Sequence, residues 1–350
     1  MLVLPIKGIG DSCWMPKEVL FNLLGFSFIA STLMSNNKKS LNFKNIWLGI
    51  IFIYLVISFC FYFYLPMVLG KNGGNINWNL WAVRPFINIV LSLWMIQALV
   101  EYTDTLRRWV GISKMLCWVA FGFSIFSFCN LNTTFGNANI TANFIAMLSP
   151  ICLMFKDLRY KIIYALCFIA ILLTHSSLSV VAFAFGLFVY LILTKKWKSL
   201  LCLIVLSVVF VMYKKVGFFS DSGRLEMWKN VLGYCKNTMW LGKGLGNFAV
   251  NRYTPLSGDP TVALSSHSEL FQILHDNGLF MVALIGIYLI DLFRHIFFAK
   301  SNILIITFTS AFVSYLVICL GNFPLRIAPL ALVGITYIAA LEAILIKGEE

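Results

Sequence analysis

The sequence predicts an all-α fold, a polytopic transmembrane helical bundle, and three observations predict it. Sixty per cent of the 350 residues are apolar and 12% are charged, against about 45–50% and about 25% in soluble domains. The apolar residues gather into runs of the length that crosses a bilayer, about 20 residues per helix. Lysines and arginines cluster in every second connector between those runs, which is the asymmetry the positive-inside rule describes.

About eleven spans are expected, at 18–35, 45–69, 80–100, 109–130, 138–155, 161–174, 176–194, 199–213, 278–297, 302–320 and 327–346. The runs at 161–174 and 199–213 are short, so their helices extend into flanking residues or sit deep in the bundle. Eleven crossings put Lys38/Lys39/Lys44, Arg107/Arg108, Lys156/Arg159/Lys161, Lys195/Lys196/Lys198 and Arg294/Lys300 on one face, the cytoplasmic one. The connectors near 131–137 and 175 carry no Lys or Arg. The amino terminus and segment 214–277 then lie outside. This divides the chain into helices in 1–213, an outer loop at 214–277 and helices in 278–350.

Charge and cysteine usage exclude other classes. The net charge of +13 is scattered between apolar runs and forms no continuous basic face, so no nucleic acid is expected. Seven of the nine cysteines lie inside apolar runs, where they read as small hydrophobes. With no C-x-x-C pair, neither a disulfide framework nor a metal site is expected. No cleavable signal peptide is evident before the first apolar run.

Segment 214–277 is where the chain stops being apolar, and a long polar connector is usually functional. Leu225, Trp228, Val231, Leu232 and Cys235 recur at helical spacing, with Glu226, Lys229, Asn230 and Lys236 opposite. A second helix is expected from His267, with Ser266 and Glu269 as an S-x-x-E capping box and Asn277-Gly278 as its stop. Between them, Gly242, Gly244, Gly246, Pro255, Gly258 and Pro260 mark turns. The run GKGLGNF follows no strand and lacks the GK[ST] ending, which excludes a phosphate-binding P-loop. The chain has no D-x-D pair, so a metal-held nucleotide-sugar donor is disfavoured.

His267, in the first helical turn, is placed where the dipole disfavours an added positive charge, as a general base at neutral pH requires. The plain alternative is a histidine making a local cap hydrogen bond. Ser266 and Ser268 flank it, but no Ser-His-Asp set is arranged. Arg224 opens the other loop helix after Asp221-Ser222-Gly223, where a guanidinium and helix N–H groups converge on an anion. An interfacial arginine facing headgroups reads equally well. Arg84 and Arg326 sit at outer span ends, where such residues either snorkel or face an interior cavity. His175 occupies the outer turn of LLTHSSLS.

Two of these stretches carry a family resemblance. SGRLEMWKNVLGYCKNTMWLGKGLGNF resembles the arginine-aromatic, then G-x-G-x-x-F signature of the O-antigen ligases and polymerases. SHSELFQILHDNGLF resembles their H-[NS]-x-x-L…G motif. GNANITANFIAMLSP and GNFPLRIAPL are similar to the family's asparagine-containing helix and last outer turn, so the likeness runs over about 132–346.

The resemblance implies a metal-independent, inverting glycosyl transfer without a cofactor, on the periplasmic side of a bacterial inner membrane. The donor would be a glycan on undecaprenyl pyrophosphate, and the acceptor the lipid A-core or a growing glycan. His267 would take the acceptor proton and Arg224 would hold the leaving pyrophosphate. Members usually carry a second arginine where this chain has Ser177; His175, Arg84 or Arg326 would supply that charge. Members usually have twelve helices, so most of one is expected to be missing at the start. Other readings are a lipid-linked polymerase of the peptidoglycan type, against which the paired motifs argue, and a flippase, which would carry charges within its spans.

Overall fold

The computed structural model describes residues 23, 25, 27, 46–60, 76–103, 105–129, 137–203, 224–245, 266–299 and 302–348. Much of the expected spans 18–35, 45–69 and 199–213 lies outside them, as do the turn glycines beyond Gly244 and both loop prolines.

The described elements are helices in the expected places. In chain order they are α1 (Ile46–Phe59), α2 (Ile76–Tyr102), α3 (Leu106–Phe128), α4 (Ala138–Leu148), α5 (Leu158–Leu173), α6 (Ser177–Leu193), α7 (Arg224–Cys235), α8 (Glu269–Phe298), α9 (Ile303–Gly321) and α10 (Ala328–Gly348). A helical stretch also covers 197–203. Among the described residues, four helices are long and apolar enough to cross a membrane by length and composition: Leu106–Phe128, Glu269–Phe298, Ile303–Gly321 and Ala328–Ile346. Shorter apolar helices accompany them, including Ile46–Phe59 and Ser177–Leu193.

Local chemistry sets the helix starts. Thr105, Asn137, Asp157 and Asn302 each precede a helix and accept a backbone N–H from its first turn, which satisfies a donor that has no partner inside the helix. The expected span 138–155 is an α-helix to Leu148 and then a 3₁₀ segment, Ser149–Met154. Pro150 explains the change, because proline has no N–H and cannot continue the α ladder.

The core lies on α4, α9 and α10. All residues from Ile140 to Leu148 are buried, as are most of α9, and a helix apolar all round belongs at a bundle centre. Side-chain hydroxyls join the helices there. Ser314 Oγ donates to Ala182 O (2.9 Å), and Tyr337 Oη to Met147 O (2.8 Å).

The two ends of the bundle differ. At one end, Tyr190 Oη reaches Leu153 O (3.2 Å), and Leu191, Leu200 and Ile306 pack beside it. That end gathers the connectors bearing Lys156, Arg159, Lys195 and Lys196, which is the expected clustering. At the other end, Ser179 Oγ donates to Asn143 Oδ1 (2.7 Å), Leu178 approaches Gly321, and Glu269 N–H donates to Asn322 O (3.1 Å). The turns before α6, α8 and α10 therefore meet at one end.

Candidate functional site

The site is built around a break in α8. Five of its first nine residues, ELFQILHDN, are polar, and its last twenty are mostly apolar, with Asp291, Arg294 and His295 near the far end. Gly278 separates them with φ 75° and ψ −177°, a region essentially reserved for glycine. The expected stop at Asn277-Gly278 is thus a break, after which helix resumes at once as the membrane span.

A break leaves carbonyls and N–H groups unpaired, and burial makes that costly. The glycine-rich turn supplies the partners. Lys243 N–H donates to His275 O and Gly244 N–H to Asp276 O, both at 2.8 Å. Leu279 N–H donates to Met239 O (2.7 Å), and Phe280 N–H to Trp240 O (3.3 Å). Tyr54 of α1 donates to Asn277 O (2.7 Å). The G-x-G run is a backbone splint across the break. Its closeness depends on two glycines: a Cβ on Gly242 would strike Asp276 and Asn277, and one on Gly278 would strike Trp240 and Gly242.

The start of α8 differs in detail from the expected capping box. The helix begins at Glu269, with Ser268 as N-cap and no side-chain cap bond. His267 therefore precedes the helix, in the left-handed region at φ 51°. Gln272, not Glu269, reaches back: its Oε1 accepts the Ser266 N–H (3.0 Å). Ser266 Oγ donates to Ser268 O (2.6 Å). Glu269 is engaged elsewhere, accepting the Leu325 N–H on Oε1 (2.9 Å). The His267 ring packs edge-on against Phe323 at 5.4 Å.

Arg326 joins this cluster. Its Nη2 donates to Asp276 Oδ2 (3.3 Å), while its Nε lies 3.9 Å from Glu269 Oε2, a charge contact too long for a hydrogen bond. Asp276 is buried and also meets His275 Nδ1 (2.9 Å) and Gln272 Nε2 (3.2 Å). Glu269 precedes the break and so lies outside the spanning part of α8. Burial pushes its carboxyl up to about 7, against the opposing pull of Arg326 and the Leu325 N–H.

The first loop helix forms where periodicity places it, from Arg224 to Cys235. Its buried face is narrower than expected: Val231 and Cys235 are buried, Leu225 and Leu232 exposed. Trp228 ties it to the histidine turn, stacking on Phe271 at 5.1 Å and donating Nε1–H to Ser266 O (2.9 Å). The helix that opens with Arg224 is thus fixed to the residue before His267.

Of the expected site residues, the structure brings His267 and Arg326 onto one cluster and places Arg224 at the start of the attached helix. The Arg224 and Arg84 side chains lie outside the described residues; the Arg84 backbone lies in α2. His175 is exposed, at φ 55°, in the neighbouring turn between α5 and α6. Asp276, His275 and Gln272 were not anticipated. Their signal is the run HDN at the entry to a span, since buried ionisable residues there are costly and mark function. Among the described residues, no His, Cys, Asp and Glu side chains gather in threes that could hold a metal ion.

Membrane-length apolar helices around a core of buried helices, with a splinted polar cluster at one end, define a multi-pass helical membrane protein. Residues 162–286 match the family described as O-antigen ligase. The match runs from α5 through the splint to the span after Gly278 and contains His175, Arg224 and His267. No curated protein matches the chain.

Proposed function

We propose that the chain transfers a glycan from a lipid-linked pyrophosphate to an acceptor hydroxyl, as a surface-polysaccharide ligase or polymerase. The observation that carries this reading is the union of the two motif stretches. Trp228 and the 239–244 splint hold the Arg224 helix, the His267 turn and the buried Asp276 on one framework. His267 is the base that takes the acceptor proton. Arg224 binds the pyrophosphate, stabilising the charge that develops as the glycosidic C–O bond breaks. Arg326 lies in the turn that follows Phe323, against which the His267 ring packs, and Arg326, His175 and Arg84 are the candidates for a second positive group. Segment 214–277 carries the chemistry and faces the periplasm, with the two helical regions as scaffold.

The test is transfer in proteoliposomes with a lipid-pyrophosphate glycan donor and an acceptor. Product should form when donor is presented on the face bearing residue 258. If donor on that face gives no product while the opposite face does, the reading fails. In a deletion strain, one repeat left on the lipid core marks a lost polymerase, and a bare core marks a lost ligase.

A further inference from the structure

Among its described side chains, helix α7 buries Val231 and Cys235 against Phe271, on which the half-buried Trp228 stacks. About a quarter turn round the helix, at about 100° per residue, run Leu225, Lys229 and Leu232, and Lys236 follows in the 3₁₀ turn that continues the helix, spaced four, three and four apart. All four are exposed. This exposed stripe alternates leucine with lysine.

The stripe leads into the turn that follows. Met239, Trp240 and Leu241 are exposed, Trp240 by 61%. Trp240 packs against Phe280 at 5.5 Å, and Phe280 begins the outward apolar face of the α8 span. That face continues through Ile287, Ile290 and Phe297, with Ile290 70% exposed. One apolar surface therefore runs along the span, over its entry point and onto α7.

We propose that α7 and the 239–241 turn form an interfacial anchor seated in the bilayer leaflet at this end of the bundle, and that its occupant is an anionic phospholipid surface. Continuity with the lipid-facing side of α8 fixes the kind of partner. Leucines lie among the upper acyl chains, while lysines on the same stripe extend their stems and place ammonium groups among phosphates. A tryptophan at the point of membrane entry belongs to the same pattern. The anchor sets the start of α7 at the depth of lipid phosphates, which is where the proposed donor carries its pyrophosphate; that corollary alone rests on the glycan-transfer reading.

The experiment uses the full chain in nanodiscs of phosphatidylethanolamine and phosphatidylglycerol, with a fluorescent amino acid incorporated at position 232, 240 or, as the solvent-facing control, 230. Spin-labelled lipid should quench positions 232 and 240 and spare 230; aqueous iodide should do the reverse. Leu225 and Met239 serve as alternative label positions if a label lowers the yield. With Lys229→Gln and Lys236→Gln together, lipid quenching at 232 should fall, and its difference between phosphatidylglycerol and phosphatidylcholine discs should vanish. Iodide quenching at 232 equal to that at 230 would overturn the proposal. So would protection from both quenchers, which would mean that a second copy of the chain covers this face. None of these readouts needs transferase activity, so the anchor and the proposed reaction fail separately.

Discussion

The splint across the break in α8 makes Gly278→Ala a quantitative test of how the site is held. At φ 75° and ψ −177°, a residue with a Cβ stores about 1–3 kcal/mol of strain. The added methyl would also strike the Trp240 carbonyl and the Gly242 nitrogen, so the 239–244 turn has to move off. Four backbone bonds cross between the turn and the break. At about 0.5–1.5 kcal/mol net each, losing half of them adds about 2 kcal/mol. The sum, about 3–5 kcal/mol, corresponds to two or three orders of magnitude in the opening equilibrium, at about 1.4 kcal/mol per tenfold. Hydrogen exchange of the purified protein, followed on peptides covering 239–245 and 275–281, should quicken by about that factor, and transfer should fall with it. Gly233→Ala is the control. A Cβ there meets nothing within 4 Å, so the helix gains up to about 1 kcal/mol. Unchanged exchange in Gly278→Ala would show that the turn rests on the break without supporting it.

Three further outcomes are expected. His267→Ala should lower transfer by about 10²–10⁴-fold with donor photo-crosslinking intact, the usual contribution of a positioned base; activity restored by His267→Gln would place the base elsewhere. Arg224→Lys should lose most activity at normal protein level, because an ammonium cannot reproduce the bidentate fork; near-normal transfer by Arg224→Ala would leave the residue only an interfacial role. Glu269 carries a carboxyl raised from 4.5 to about 7 by burial, so ionising it opposes the fold. Its contribution to stability is full below 4.5 and is lost as pH rises through about 7. Thermal unfolding of the wild type relative to Glu269→Gln, which keeps an acceptor for the Leu325 N–H, should therefore worsen across that window. Parallel pH profiles for the two proteins would refute it.

The helices themselves were legible because their causes are local or one-dimensional. Apolar runs of bilayer length mark the spans, and Asn137, Asp157 and Asn302 mark starts by capping their own first turns. Periodicity placed α7 at Arg224, and two separated motifs marked His267 and Arg224 through a family likeness that the matched segment 162–286 supports. Polar partnership within the site depended on which turns meet in space. Glu269 has the spacing of a capping-box acid, yet the 322–326 turn presents it with the Leu325 N–H and Arg326, and Gln272 takes over the reach back to Ser266. Asn277-Gly278 reads as a helix stop, and only the docking of Trp240–Gly244 from upstream shows why the chain breaks there and resumes. A broken helix in a membrane protein is stable only where other groups satisfy its backbone, and here those groups come from α1 and the glycine-rich turn. No local pattern encodes a partner 223 residues away, the separation between Tyr54 and Asn277. Hydrophobicity along the chain determined where the helices are; hydrogen-bond satisfaction in three dimensions decided which residues make the polar cluster at the break.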